Sequence, residues 1–133
     1  VSSGIAPMRK YLDLDLNLGL GSDVAGGTSE SMFQTLTKAI EVSKLYWRLV
    51  DQNAKALSFK ETFYLATMGG GKFFGDVGAF KEGYEFDVLV LDDSVLKTTL
   101  DLSIEERLER AVYLSLDLQG GIKHKFVKGK MLF

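Results

Sequence analysis

The spacing of apolar residues predicts helices in the first half of the chain and mainly strands in the second half. Apolar side chains recur every three or four residues across residues 29–50, which is typical of one long amphipathic helix. Its expected buried face comprises Met32, Leu36, Ile40, Ser43 and Trp47. The polar residues 51–53 end this pattern. A short helix is also predicted from Pro7 to about Leu12, because proline suits the first turn of a helix.

Two capping boxes of the form S-x-x-E begin further helices. Ser58 and Glu61 form the first box, ahead of a helix that we expect to stop at the three glycines 69–71. Glycine tolerates the left-handed backbone conformation that commonly ends a helix. Ser103 and Glu106 form the second box, ahead of another helix.

Patterns of period two predict the strands. Residues 16–20 alternate leucine with asparagine or glycine, and residues 88–91 are continuously apolar. Residues 122–133 alternate around an expected turn at Gly129. The change from helical to strand patterns places a boundary near residues 75–78 and predicts an α/β protein.

The composition indicates a folded chain with a substantial core. The 133 residues are 46% hydrophobic and carry a formal net charge of -2, which argues against nucleic-acid binding as the main role. The chain has no cysteine, which excludes disulfides, thiolate metal sites and cysteine nucleophiles and agrees with a reducing cytosol. No apolar run is long enough to span a bilayer. Because the chain begins with Val1 rather than methionine, we expect it to be a piece of a longer polypeptide.

Asp23 is the principal candidate for chemistry. It stands in the stretch GLGSDVAGGTSE, directly after the predicted strand at residues 16–20. An aspartate in this setting is most often a turn or helix-capping residue. It also fits an acid at the carboxyl end of a barrel strand, where a carboxylate can bind a metal and accept a proton. Gly26 and Gly27 lack the lysine that completes a phosphate-binding loop, so they indicate a tight turn.

The other candidate groups favour structural roles. His124 is the only histidine, and it lies in an alternating Lys-His-Lys stretch, so we expect a surface or partly buried strand position. The charged run at residues 105–110 is expected to be the solvated face of a helix. Four aromatic residues have no interleaved basic residues and are expected to be packing residues. They are Tyr46, Trp47, Phe73 and Phe74.

The stretch NLGLGSDVAGGTSESMF resembles the eighth-strand motif of the amidohydrolase superfamily, and its DVAGGTS resembles the guanine deaminases of that superfamily. SSGIAPMRKYLD is similar to the loop and helix before that strand. KETFYLATMGGGKFFGDVGAFKEGYEFDVLVLD resembles the family's crossing from the last barrel helix into a β-sandwich. ERLERAVYLSLDLQGGIKHKFVKGKMLF resembles the guanine deaminase C-terminus. The chain departs from the family pattern at residues 85–87 and 118–121, which affects loop detail rather than the reaction class.

The resemblance implies the C-terminal part of a (β/α)8 metal-dependent hydrolase barrel together with part of a small β-sandwich. Residues 1–75 would form the last β/α units of the barrel. Residues 76–133 would form the β-sandwich segment with its helix.

The resemblance also implies a function. Asp23 would end the eighth barrel strand, complete a mononuclear zinc site and relay the proton of the attacking water. The parent enzyme would hydrolyse guanine, a small purine, to xanthine and ammonia in purine catabolism. It would be a cytoplasmic homodimer with no nucleic-acid or membrane partner. The family's histidines, its catalytic glutamate and its guanine-recognition residues lie upstream of the matched motifs, so the 133 residues alone would be inactive.

Two alternatives stay open at this point. The parent could be another amidohydrolase-superfamily deaminase or hydrolase that acts on a different base. The 133 residues could instead be a non-catalytic fold fragment or dimerisation piece, because a single carboxylate cannot hold catalytic zinc, which takes about three protein ligands.

Overall fold

The computed structural model describes residues 3–133 and shows a mixed helix and sheet fold. Its α-helices are α1 (Met8–Asp13), α2 (Met32–Leu49), α3 (Phe59–Tyr64) and α4 (Ile104–Tyr113). Its strands are β1 (Val88–Leu91), β2 (Ile122–Val127) and β3 (Lys130–Met131), which pair antiparallel in the order β1-β2-β3. In residues 3–133, no helix is both long and apolar enough to cross a membrane.

Both predicted capping boxes are confirmed. The Glu61 backbone N–H donates to Ser58 Oγ at 3.3 Å, and the Ser58 backbone N–H donates to Glu61 Oε2 at 2.8 Å. Ser103 and Glu106 repeat the same pair of bonds at 3.3 and 2.8 Å. Hydrogen bonds from the Ser103 hydroxyl and backbone lower the pKa of Glu106 below its usual value. Each box therefore provides hydrogen-bond acceptors for two backbone N–H groups that would otherwise lack a partner at the start of the helix.

The long helix α2 is confirmed, but its buried face differs from the predicted one. The helix is capped by Ser31 and buries Phe33, Leu36 and Ile40. Phe33 was not among the predicted positions, whereas the predicted position Trp47 is 44% exposed. In residues 3–133, the last turns of α2 extend past the hydrophobic core. Helical spacing alone therefore overestimates the length of the helix that is buried by other residues.

The prediction that Phe73 and Phe74 are packing residues is wrong for the described residues. Their side chains are 89% and 81% exposed, and their rings contact each other edge to face at 5.6 Å between centroids. They lie in the turn after α3, where the chain has left the helix that packs against the core.

The helix stops within the predicted glycines 69–71, but it ends there without the predicted left-handed cap. The backbone passes from α3 into one π-helical turn, Leu65–Gly69, and stays helical to residue 71. Gly70 has φ −66°, an ordinary right-handed value, and a positive φ first appears at Gly75. The left-handed cap predicted here is therefore wrong. These glycines instead allow close contact with other parts of the backbone.

The strand predicted at residues 16–20 does not form a strand ladder. Leu18 and Leu20 are half-buried while Gly19 and Gly21 are exposed, so the alternation persists in an extended backbone. A ladder requires a hydrogen-bonded neighbour, and no strand of residues 3–133 pairs with this segment. The period-two pattern predicted the alternation of covered and open positions, whereas the strand itself is not formed in residues 3–133.

The C-terminal hairpin is confirmed. β2 and β3 are joined by Lys128 and Gly129, both at positive φ, 50° and 75°. Two such residues form the tight turn whose twist matches an antiparallel pair. His124 is exposed on β2, as predicted.

The charged run on α4 is not simply a solvated face. Arg107 forms a two-pronged ion pair with Asp93 at 2.7 and 2.8 Å, which holds the pKa of that carboxyl below its usual value. Arg110 donates to the carbonyl oxygens of Leu96 and Lys97. The two arginines thus fasten the loop between β1 and α4 to the helix.

The hydrophobic core joins residues from both sides of the predicted boundary. Its buried members come from α2, α3, the β1–α4 loop, α4 and the 3-10 turn Leu116–Gln119. They are Phe33, Leu36, Ile40, Phe59, Leu96, Ala111, Val112 and Leu116. The division at residues 75 and 76 stays a prediction, and the C-terminal helix packs directly against α2.

Leu116→Ala should lower the free energy of unfolding by about 2–5 kcal/mol, because its side chain is fully buried and its removal leaves a cavity. Leu118→Ala is the matched control, since Leu118 lies two residues away and is 60% exposed. Its effect should stay within about 0.5 kcal/mol. Urea unfolding of both variants measures the difference. Equal effects would show that Leu116 does not anchor the core.

Candidate active site

The extended segment before Asp23 is attached to the π turn. The Leu20 backbone N–H donates to the Leu65 carbonyl oxygen at 3.0 Å. That same oxygen accepts the N–H of Gly70, one residue later than in an α-helix. A π turn is a rare local widening that often marks functional sites. Here the Leu65 carbonyl oxygen accepts one hydrogen bond from within the helix and one from the segment that leads to Asp23.

Glycines on both sides let the two backbones approach closely. A Cβ atom at Gly19 would lie 2.8 Å from Cα of Gly70. A Cβ atom at Gly69 would collide with the carbonyl oxygen of Leu18. Backbone cannot move aside as a side-chain end can, so no larger residue fits at either position without displacing the segment.

Asp23 begins a tight turn. Its φ is 48°, and Ala25 follows at 78°. The Gly26 N–H donates to the Asp23 carbonyl oxygen at 2.9 Å, and the Gly27 N–H donates to the same oxygen. Aspartate visits the left-handed region more readily than most residues, whereas alanine is uncommon there. Ala25 is therefore a strained position of the kind that clusters at functional sites.

Asp23 is a turn residue but not the cap of the following helix. The side chain that caps α2 is Ser31, whose Oγ accepts the N–H of Gln34 at 3.2 Å. The Asp23 side chain is exposed and lies beside Gly26, where a Cβ would come within 2.7 Å of Asp23 Oδ2. Its carboxylate remains accessible at the end of the extended segment.

The described residues do not form a metal site by themselves. Residues 3–133 contain no group of three histidine, cysteine, aspartate or glutamate side chains placed to hold an ion. Asp23 can supply one carboxylate ligand, whereas a catalytic zinc takes about three protein ligands. This donor set fits one corner of a metal site and not a complete one.

The match to a family extends over nearly the whole chain. The family model described as the amidohydrolase family matches residues 1–132, which include the Asp23 turn, the π turn and the C-terminal hairpin. The chain belongs to the amidohydrolase family. The resemblance drawn from the stretch around Asp23 is therefore confirmed at the level of the family.

Curated relatives of this amidohydrolase chain are guanine deaminases. It is 33% identical over 144 aligned positions to the guanine deaminase of Homo sapiens, an alignment that covers 99% of this chain and 31% of the human protein. It is 29% identical to the guanine deaminase of Escherichia coli, over 100% of this chain and 30% of that protein. The chain thus spans less than a third of the length of these relatives.

Solved structures agree with the sequence relatives. A crystal structure of guanine deaminase from C. acetobutylicum with bound guanine in the active site matches with a TM-score of 0.90 and 45% identity, over 99% of this chain and 31% of that one. The E. coli guanine deaminase structure matches with a TM-score of 0.80 and 29% identity, over 99% and 31%. The predicted similarity to guanine deaminases is confirmed.

Sequence reasoning missed the polar contact between Ser31 and Asp117 beside the candidate site. Ser31 Oγ donates to Asp117 Oδ2 at 2.5 Å, across a separation of 86 residues. No local motif marks Asp117. The sequence signal that could have indicated it is the absence of an acidic residue from the first turn of α2.

Gly27→Ala should distort the Asp23 turn, because the added Cβ would collide with the Ser22 carbonyl oxygen. We expect destabilisation of about 1–3 kcal/mol, the usual cost of overpacking. Gly21→Ala is the control, since a Cβ there meets no atom within 4 Å and the backbone is not at positive φ. Thermal unfolding of both variants provides the comparison. A Gly27→Ala variant as stable as Gly21→Ala would contradict the geometry described for the turn.

Proposed function

We propose that this chain is the Asp23-bearing part of a guanine deaminase, which hydrolyses guanine to xanthine and ammonia. The observation that carries the proposal is the match to a guanine deaminase with guanine in its active site, at 45% identity over 99% of this chain. The curated guanine deaminases support it over the same residues. The whole protein would be a cytoplasmic homodimer that acts on a free purine in purine catabolism.

Within that protein, residues 1–75 would form the last units of a (β/α)8 barrel and residues 76–133 part of a β-sandwich. The segment at residues 16–22 is suited to be a barrel strand, because the half-buried Leu18 and Leu20 alternate with the exposed Gly19 and Gly21. Asp23 would then lie at the carboxyl end of that strand, where barrels carry their active sites.

The chemistry requires one carboxylate that can both accept and release a proton. Hydrolysis replaces the amino group of guanine by the oxygen of a water molecule and moves a proton from that water to the leaving nitrogen. Asp23 is exposed at the end of its segment and suited to accept this proton on a carboxylate oxygen and to return it. A bound zinc ion, with Asp23 as one of its ligands, would supply an acidified water near neutral pH.

The turn geometry gives Asp23 a defined place for this role. The left-handed φ of Asp23 and its two accepted backbone bonds hold the main chain independently of the side chain. The carboxylate is thus left for other contacts. Since residues 3–133 lack the remaining donors of a metal site, the isolated chain is expected to be inactive.

The substrate assignment is tested with the full-length protein. Guanine should yield xanthine and ammonia in equal amounts, measured by the change in ultraviolet absorbance and by ammonia release. Cytosine and adenosine serve as competing substrates, and turnover of these alone would assign the protein to another deaminase class within the family.

Asp23→Asn in the full-length protein should lower kcat by about 10²–10⁴-fold, because an amide cannot accept the proton that a general base takes up. Asparagine also tolerates the left-handed φ of 48°, so the melting temperature should change little. Asp23→Gly is the matched variant that removes the side chain without backbone strain. We expect it to lose bound zinc as well, by metal analysis. Near-normal turnover in either variant would leave Asp23 as a turn residue only.

A further inference from the structure

We propose that Asp117 is a positioning residue: through Ser31 it holds in place the C-terminal end of the Asp23 loop, defined as residues 23–31. Its effect on turnover rests on the proposed function, whereas its effect on the loop does not. The contact joins the C-terminal part of the chain to the N-cap residue of α2, shortly after the turn that contains Asp23.

Ser31 is the point at which the loop becomes helix, and its hydroxyl makes two bonds. It donates to Asp117 Oδ2 at 2.5 Å and accepts the Gln34 N–H at 3.2 Å. A serine hydroxyl has one proton to donate, so giving it to Asp117 leaves a lone pair directed at the helix. Ser31 is only 5% exposed, so water does not readily replace either partner. Asp117 therefore determines how Ser31 caps α2.

The residues just before Ser31 are fastened to the same helix end. The Ser31 backbone N–H donates to Ser29 Oγ at 3.1 Å. Lys38, at the end of the second turn of α2, contacts Thr28 Oγ1. At the other end of the loop, the Gly26 N–H bonds to the Asp23 carbonyl oxygen. The Asp23 loop is thus held at both ends, and Asp117 holds the end at which helix and loop meet.

Asp117 is placed rigidly for this contact. It lies in the 3-10 turn Leu116–Gln119, and its neighbour Leu116 is fully buried in the core. α2 has no acidic residue in its own first turn, so the carboxylate that favours the positive end of the helix dipole comes from Asp117. A distant residue anchored in the core can set the direction of the helix start in a way that a local capping acid cannot.

The second carboxylate oxygen argues against a purely stabilising role. Asp117 Oδ1 is shielded from solvent and has no hydrogen-bond partner among the described residues. Leaving a buried carboxylate oxygen without a partner costs free energy, so the contact is a poor device for stability alone. Within residues 3–133, only one of the two Asp117 carboxylate oxygens has a hydrogen-bond partner. The presence of this carboxylate is better explained by its effect on the position of the Ser31 side chain.

The test uses four variants of the full-length protein. Asp117→Ala and Ser31→Ala remove the two ends of the contact. Asp117→Asn keeps an oxygen that can accept the Ser31 hydroxyl and so serves as the conservative variant. Asp93→Ala is the control, because it breaks the ion pair with Arg107 in the same C-terminal part of the chain. The readouts are amide hydrogen exchange of residues 23–35 and kcat and KM for guanine.

Asp117→Ala should speed exchange of the Gln34 and Thr35 amides by about five- to tenfold, the effect of losing a helix cap. It should lower kcat by about 10–10²-fold while KM changes less than about twofold, because displacement impairs the reacting geometry rather than binding. Asp117→Asn should keep both the amide exchange rates and kcat close to their wild-type values. The double variant Asp117→Ala with Ser31→Ala should show the same amide exchange rates and kcat as either single variant, since both substitutions remove the same hydrogen bond.

Each contrary outcome is decisive. Exchange at residues 23–35 that is unchanged, or changed equally by Asp93→Ala, would overturn the proposal. Faster exchange with normal kcat would reduce Asp117 to a cap without a positioning role. If the wild-type protein does not turn over guanine, the proposed function fails. The exchange data alone then support or overturn the placement of the loop by Asp117.

Discussion

The close approach of two backbones, between residues 18–20 and residues 69–70, is the constraint on which the site depends. Glycine at positions 19 and 69 removes the side chains that would separate them, and the Leu20 N–H then reaches the Leu65 carbonyl oxygen. The π turn makes this possible without abandoning helical hydrogen bonds, because Leu65 also accepts from Gly70. The start of the Asp23 turn is thereby tied to a helix whose own cap and core contacts are well defined.

That helix is in turn tied to the rest of the molecule through a shared core. Phe59 is buried at the start of α3, and Leu65 is buried at the start of the π turn that follows it. Phe59 packs in the same cluster as Leu36 of α2 and Val112 of α4. A displacement of α4 would therefore be felt at both helices that border the Asp23 turn. Protein interiors are packed densely enough to transmit such displacements.

Local chemistry was predictable from the sequence, and long-range pairing was not. The Ser58 and Ser103 boxes and the turn at Gly129 depend on residues within four positions of each other, so their patterns are complete in a short window. The segment at residues 16–20 shows the limit, because alternation indicates an extended backbone but carries no information about a partner strand. Asp117 lies beyond that limit, since only the folded core brings it to Ser31.

The same distinction explains why the importance of Asp23 could not be judged from its residue type. An aspartate at φ 48° that closes a turn has the geometry of a purely structural residue, and its backbone bonds would be made equally well by asparagine or glycine. What separates the two roles is the use of the side chain. The carbonyl oxygen closes the turn while Ser31 caps the helix, so neither structural task occupies the carboxylate. The Asp23 carboxylate has no structural role in the turn, and it lies near the strained Ala25. It is therefore placed for chemistry that requires additional residues from elsewhere in the protein.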